Sequence, residues 1–249
     1  MTPGVAAALL LLASPIGVAA GRPPFSLGEQ IVFRVSYPHL LAGRASVRVE
    51  AGGGEGAPLR FVEEARSQGF LVWLFHFRVD DRTVAEWDPA AGCSLGTEKH
   101  LHEGRAVRDQ VVRIDPVAGI ANLRDPKIAT TSFDVEPCVL DVLSALFVAR
   151  LSGVAENGLT LPVFDNGKSY RLEVRFLGRE ALDLPPPLGP KTPTVIVEPQ
   201  LLEGTGLFVK EGRLRIWLTD DARRVPVRMV SRVPVGAISA DLESYKAGR

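Results

Sequence analysis

One serine of the sequence lies in a motif that is typical of serine hydrolases. Gly92-Cys93-Ser94-Leu95-Gly96 matches G-x-S-x-G, in which the serine nucleophile stands on a turn between a strand and a helix. That chemistry also needs an acid and then a histidine further along the chain. The last histidine, His102, follows only eight residues after the serine, with no aspartate between them. We therefore interpret the segment as a turn that enters a strand.

Three other groups of residues could suggest metal, phosphate or acid–base chemistry. His100-x-His102 places two imidazoles on one strand face, but charged neighbours favour solvated histidines. Gly167-Lys168-Ser169 resembles the end of a phosphate-binding loop, yet Pro162 stands at its first glycine position. Asp220-Asp221 would point to opposite faces of a strand, so we expect a turn there. The sequence thus predicts no catalytic residue, no metal site and no cofactor, and we expect the protein not to be an enzyme.

The elements around these residues read mainly as β-strands. Apolar and polar residues alternate with period two in several segments, which is typical of antiparallel strands with one buried face. Clear examples are residues 31–37, 45–50, 170–176, 214–218 and 238–243. Glycine-rich and aspartate-containing turns separate these segments.

One segment, residues 138–151, departs from this pattern. It is rich in leucine and alanine, contains no glycine or proline, and has only Asp141, Ser144 and Arg150 as polar exceptions. A helix that is apolar nearly all round is expected to be buried. The sequence therefore predicts a curved antiparallel sheet or open half-barrel that is wrapped around one buried apolar helix.

The N-terminus predicts export. Residues 1–20 carry no charge and contain an apolar run that is too short to span a bilayer, followed by small residues at Val18-Ala19-Ala20. We expect a signal peptide over residues 1–20 and a single mainly-β domain over residues 21–249; the alternative is an uncleaved N-terminal anchor. In an oxidising compartment, Cys93 and Cys138 can form a disulfide. Two buried free thiols are the other alternative.

Composition excludes some classes of partner. The 249 residues include 29 Lys and Arg and 29 Asp and Glu, so the formal net charge is zero. This balance gives no electrostatic argument for a nucleic-acid partner. We expect no nucleic-acid partner and no transmembrane span in the mature chain.

Several motifs resemble the bacterial domain-of-unknown-function family 3108. They are residues 139–146 (VLDVLSAL), 161–168 (LPVFDNGK), 212–221 (GRLRIWLTDD) and 224–229 (RVPVRM), and residues 25–29 fit the opening of the family. The resemblance implies an exported, mostly β protein in the periplasm of a Gram-negative bacterium. It brings no established activity or site residue.

Two hypotheses of function follow from these observations. The first is a periplasmic carrier that holds a lipid or another apolar ligand between sheet and helix, with Leu143, Leu146, Phe147 and Trp217 as candidate ligand-binding residues. The alternative is a non-catalytic structural or protein-interaction module whose partner is another envelope protein. An open interior favours the carrier, and a filled interior favours the structural module.

Overall fold

The computed structural model describes residues 23–37, 40–53, 57–69, 78–154, 156–201, 214–233 and 236–249. The expected signal peptide, residues 1–20, lies outside these ranges. Within them the chain forms fourteen β-strands and one α-helix.

Eight strands precede the helix. They are β1 (Gln30–Tyr37), β2 (Leu40–Ala51), β3 (Leu59–Ser67), β4 (Asp80–Asp88), β5 (Cys93–Glu103), β6 (Ala106–Asp115), β7 (Ile120–Asp125) and β8 (Ile128–Asp134). The helix α1 (Val142–Ser152) and six further strands follow. These strands are β9 (Leu159–Asp165), β10 (Lys168–Leu182), β11 (Thr192–Leu201), β12 (Leu214–Thr219), β13 (Pro226–Val233) and β14 (Gly236–Lys246).

All fourteen strands belong to one antiparallel sheet. Its order is β8-β7-β6-β5-β4-β3-β2-β1-β14-β13-β12-β11-β10-β9, so the first and last strands pair in the middle of the sheet. The two edge strands are β8 and β9, and no ladder joins them in the described part of the chain. Helix α1 connects these edges. The prediction of an open antiparallel sheet is confirmed.

The sheet has an inner and an outer face because side chains alternate along each strand. The inner face packs on the helix. The outer face carries ion pairs between neighbouring strands, such as Arg44 with Glu243 at 2.7 Å and Arg113 with Glu98 at 2.6 Å. Exposed pairs of this kind contribute little to stability individually, and we attribute the cohesion of the fold to the inner face.

Helix α1 begins four residues later than the predicted segment, residues 138–151. Cys138 has a φ of 61°, which a right-handed helix does not use. The backbone of Leu140 is occupied by β9, because its N–H donates to the Pro162 carbonyl at 3.0 Å and its carbonyl accepts from the Phe164 N–H at 2.8 Å. Asp141 can therefore be the first residue to cap the helix.

Strands from both halves of the sheet contact the helix. The ring of Phe147 stacks on that of Phe61, with centroids 3.8 Å apart, and Phe25 and Trp87 complete the aromatic group. The same cluster includes inner-face residues of β2, β3 and β4 and of β9 to β12: Val47, Val49, Phe61, Ala85, Trp87, Leu161, Val163, Leu172, Val174, Val195, Val197, Ile216 and Leu218. Because β2–β4 and β9–β12 lie far apart in the strand order, the sheet must curve around the helix for both to touch it.

The C-terminal turn of the helix contains a fully buried arginine. The Arg150 side chain is 0% exposed and forms a double hydrogen bond with Glu29, which is 2% exposed, at 2.8 and 2.9 Å. The Tyr245 hydroxyl also donates to Glu29, at 3.2 Å. A buried arginine needs a bidentate carboxylate partner of this kind, because an unpaired buried charge strongly destabilises the folded state.

A second set of contacts fixes this end of the helix to the turn between β12 and β13. Arg150 Nε donates to the carbonyl of Arg224 at 3.1 Å, and Arg224 Nη1 donates back to the carbonyl of Arg150 at 2.8 Å. The helix then ends at Gly153, whose φ is 69° and whose N–H bonds to the Ala149 carbonyl. The reciprocal pair satisfies a C-terminal carbonyl that the helix itself cannot.

The N-terminal end of the helix is fixed to the start of β5. Asp141 accepts hydrogen bonds from the N–H groups of Leu143 and Ser144 at 2.9 and 3.0 Å, as an N-cap does. Ser94 Oγ donates to the same carboxylate at 2.7 Å. Cys93 and Cys138 form a disulfide next to this contact, which confirms the first of the two alternatives for the cysteines.

Both ends of the helix are thus held at one end of the sheet. In an antiparallel order, β1, β5 and β9 all begin at this end, and the β12–β13 turn lies there too. We call this end the base and the opposite end the rim. The helix closes the base.

Replacing Arg150 by methionine is expected to lower the free energy of unfolding by about 3–5 kcal/mol, because Glu29 is left as an unpaired buried charge. The matched control is Arg179→Met, which removes an exposed pair with Asp220 and is expected to cost less than about 1 kcal/mol. Urea denaturation measures both. If the free energy of unfolding falls equally in the two variants, the buried pair stabilises the fold no more than an exposed pair does.

Removal of the disulfide in Cys93→Ser/Cys138→Ser is expected to lower the free energy of unfolding by about 3–4 kcal/mol. The reason is that the bond closes a loop with a sequence separation of 45 and so restricts the unfolded chain. Urea curves of the oxidised wild type and the variant provide the measurement. Superimposable curves would contradict this expectation.

Candidate functional site

The helix residues that were predicted to bind a ligand differ in accessibility. Leu143 and Leu146 are partly buried and lie with Val142, which is 36% exposed, on the least buried side of the helix. Phe147 is 1% exposed and stacks in the aromatic group. The structure therefore brings Leu143 and Leu146 together and places Phe147 in the packed core.

Trp217 lies in a different part of the molecule. It alternates along β12 with Ile216 and Leu218, which pack with the helix, and so lies on the opposite face of that strand. Its Nε1 donates to Glu180 Oε2 at 2.8 Å. The structure does not bring Trp217 together with Leu143, Leu146 and Phe147.

The residues in the motifs that resemble catalytic or metal sites form structural contacts. Ser94 of the G-x-S-x-G motif is fully buried at the helix N-cap. His100 and His102 are exposed on β5, and His100 Nδ1 lies 2.8 Å from Asp109 Oδ1. Asp221 accepts hydrogen bonds from the backbone N–H groups of Arg223 and Arg224, as expected for a turn. No three His, Cys, Asp or Glu side chains among the described residues are grouped to hold a metal ion.

A row of apolar side chains remains partly exposed on the inner face near the rim. Strand register places Val35, Ala240 and Met229 side by side on β1, β14 and β13. Ile238, two residues before Ala240, is 40% exposed, and Leu40, opposite Tyr37 on β2, is 52% exposed. We call Val35, Leu40, Met229, Ile238 and Ala240 the apolar wall. Towards the base it continues into the buried Phe33 and Leu242.

Polar side chains occupy the inner face on the neighbouring strands. Glu63, Thr83 and Lys99 lie side by side on β3, β4 and β5. Asp81 lies two residues from Thr83 on the same face, and Asp165 at the end of β9 forms an ion pair with Lys99. We call Glu63, Asp81, Thr83, Lys99 and Asp165 the polar wall. It adjoins the apolar core where Glu63 stands opposite Val47 of β2.

The carboxyl group of Glu63 has a strongly shifted pKa. Burial raises its pKa from 4.5 to about 7, and the charges of Asp81 and Glu64 act in the same direction. A hydrogen bond with the Thr83 side chain and the charge of Lys99 oppose the rise. Glu63 is therefore partly protonated at neutral pH.

The ion pair of Lys99 with Asp165 joins the two halves of the sheet, since β5 and β9 belong to different halves. Both side chains are 17% exposed. Tyr170 lies beside this pair on the inner face of β10, and burial raises its pKa, with the charges of Asp165 and Asp141 adding to the rise. The polar wall thus extends across the open side of the sheet.

Neither wall is recognisable as a site from the sequence alone. Period-two alternation indicates which residues of one strand share a face, and it places Val35 on the apolar face of one segment and Ile238 and Ala240 on the apolar face of another. It could not reveal that Glu63 points inward, because the register of β3 against β2 and β4 decides this. The pairing of β3 with β2 and β4 is the information that would identify Glu63, and the sequence pattern does not contain it.

Comparisons with known proteins support the fold. A family model described as "Protein of unknown function (DUF3108)" matches residues 32–243. No curated protein matches the chain. Among solved structures, the beta-barrel-like protein of domain of unknown function DUF1849 from Brucella abortus is similar, with a TM-score of 0.61 and 12% identity, covering 90% of this chain and 98% of that one. At this identity the likeness concerns the fold alone. No helix among the described residues is long and apolar enough to cross a membrane.

Replacing Glu63 by glutamine is expected to change how stability depends on pH. Between pH 4.5 and about 7 the folded wild type keeps a proton that the unfolded chain releases, so its stability falls as the pH rises through this window. The variant lacks this decrease in the free energy of unfolding, which is on the order of 2 kcal/mol.

Urea denaturation at pH 5 and pH 8 measures the decrease in each protein. The control Glu243→Gln, in an exposed pair with Arg44, should not remove the loss, and an unchanged pH dependence in Glu63→Gln would contradict the assignment.

Proposed function

Because the chain belongs to the DUF3108 family, which is described only as proteins of unknown function, we propose a function from the geometry of its interior. The protein is an exported component of the bacterial envelope that binds the apolar chain of a lipid-like ligand. The apolar chain of the ligand lies in the rim half of the curved sheet, between the apolar wall and the polar wall.

The observation that carries this proposal is the exposure of the apolar wall. Leu40 and Ile238 are 52% and 40% exposed on the concave face, although the core residues at the base are nearly all buried. Apolar surface inside a concavity is typical of binding sites for apolar ligands. The two halves of the interior therefore serve different purposes: the base holds the fold together and the rim half receives the ligand.

The sequence-predicted residues take distinct roles in this proposal. Leu143 and Leu146 are the predicted helix residues with accessible surface, so they are the ones able to contact a bound chain. Phe147 acts by keeping the helix packed on Phe61. Trp217 acts by packing in a second apolar cluster, on the face of β12 that points away from the helix.

Two features support export to the periplasm of a Gram-negative bacterium. Residues 1–20 have the length and apolar character of a signal peptide. The disulfide between Cys93 and Cys138 is a bond that persists in oxidising compartments.

A second candidate function is a protein-interaction module of the envelope. The observation that favours it is the edge strand β8, in which every residue except Phe133 is exposed. An open edge of this kind offers unpaired backbone groups to a strand of another protein. This candidate does not require the apolar wall.

The proposal predicts that a charge on the apolar wall abolishes binding of apolar probes. Wild-type protein is expected to enhance the fluorescence of 1-N-phenylnaphthylamine, and Ile238→Glu is expected to reduce its affinity at least tenfold, because a carboxylate would be placed against the apolar chain. The matched control is Val117→Glu, since Val117 is 92% exposed in the turn between β6 and β7.

A second measurement completes this test: the protein is purified from the periplasmic fraction and the lipids bound to it are extracted. Enrichment of a lipid-like molecule by mass spectrometry supports the carrier. If neither probe nor lipid binds, and crosslinking in the envelope instead recovers a protein bound at β8, the interaction module is the correct function.

A further inference from the structure

We propose that the ligand is a single-chain amphiphile with a cationic, ammonium-type head group, which the polar wall binds while the apolar wall holds the chain. This inference rests on the proposed function and names the class of ligand for the same site. Its evidence is the charge balance of the polar wall and the position of that wall beside the apolar one.

The shape of the apolar wall suits an extended chain. From Ile238 at the rim through Ala240 to Leu242, the inner-face residues of β14 cover about 13 Å at the usual rise of a strand. The wall becomes steadily more buried in this direction, since Ile238 is 40% exposed and Leu242 is 8% exposed. A chain that enters at the rim therefore ends against the packed core.

The polar wall has an excess of negative charge. Lys99 pairs with Asp165, and Lys168 stands opposite Asp165 on the same face, next to the β9–β10 turn. The carboxyl groups of Glu63 and Asp81 lie on β3 and β4, on the side of Lys99 that adjoins the apolar wall. Glu64 also acts on Glu63, but it points to the outer face, where Arg48 and Arg82 pair with it at 3.3 Å. Of the charges that act on Glu63, only Lys99 is a cation facing the interior, and it already has a partner.

This balance favours a cation over an anion in the head-group position. A positive charge next to Glu63 and Asp81 gains attraction that partial burial strengthens, whereas a negative charge would be repelled. A neutral head group gains neither. Charge complementarity therefore selects among amphiphiles whose chains fit equally well.

Binding of a cation should also be coupled to a proton. Burial and the charges of Asp81 and Glu64 raise the pKa of Glu63 to about 7, against the opposing charge of Lys99. A cationic head group favours the ionised carboxylate, so binding releases a proton from the protonated fraction. Affinity for the cation is therefore expected to rise between pH 6 and pH 8.

The test uses three probes with the same twelve-carbon chain, below their critical micelle concentrations: dodecyltrimethylammonium, dodecyl maltoside and dodecyl sulfate. Isothermal titration calorimetry with full-length mature protein is expected to show dodecyltrimethylammonium binding at least fivefold more tightly than the maltoside, and the sulfate most weakly. The affinity for the ammonium probe should rise about fivefold to tenfold from pH 6 to pH 8.

Glu63→Gln is expected to remove most of the preference for the ammonium probe over the maltoside and most of the pH dependence of ammonium binding. Glu243→Gln, which changes a carboxylate on the outer face, is the matched control and should behave as wild type. The pH series on the wild type tests the inference even if the variant does not fold.

The outcomes separate the two levels of the proposal. If all three probes bind equally, or the sulfate binds most tightly, the cationic head group is wrong and the apolar-ligand function stands. If none of the probes binds, both are wrong.

Discussion

The arrangement of the interior depends on one buried ion pair. Arg150 reaches from the last turn of the helix to Glu29, just before the first strand, and the two side chains are almost completely shielded from water. Burying two charges is costly, so such a pair is tolerated only when every hydrogen-bonding group finds a partner. Here the Tyr245 hydroxyl and the carbonyls of Arg223 and Arg224 provide those partners. The pair joins the segment before β1, the helix and the β12–β13 turn at one point, and so fixes where the helix lies.

The position of the helix divides the interior into two parts. At the N-terminal end, Asp141, Ser94 and the disulfide hold the helix against β5, and at the other end Arg150 holds it against the start of β1. Both anchors are at the base, which the aromatic group around Phe147 then fills. Among the described residues, the inner face of the rim half keeps an apolar and a polar wall with accessible surface. The contacts that hold both ends of the helix at the base thus account both for the packed base and for the accessible inner face near the rim.

The sequence predicted the fold class and the existence of the helix, because both follow from periodicity. It did not predict the roles of the three polar residues in the apolar segment, Asp141, Ser144 and Arg150, which were only exceptions to its pattern. All three are buried. Ser144 donates to the nearby Asp141, but Asp141 and Arg150 also have partners far away in sequence, Ser94 and Glu29 respectively. The apolar pattern predicts a helix from residue 138, four residues too early, because the bridge from Leu140 to β9 is a long-range contact. The walls of the candidate site were missed for a similar reason, since they depend on strand register.

Hydrogen exchange of the amides of helix α1, measured by mass spectrometry with and without a saturating twelve-carbon probe, tests the central claim most directly. If the helix is fixed at both ends, the amides of residues 142–152 exchange only when the whole protein unfolds. Binding of the probe then slows their exchange only as much as it stabilises the whole protein. The rim amides of β13 and β14, in contrast, gain additional protection when the probe binds. Rapid exchange of the helix in the free protein, or a local change in its protection on binding, would show instead that the helix moves to admit the ligand. That result would contradict the division into a fixed base and a receptive rim.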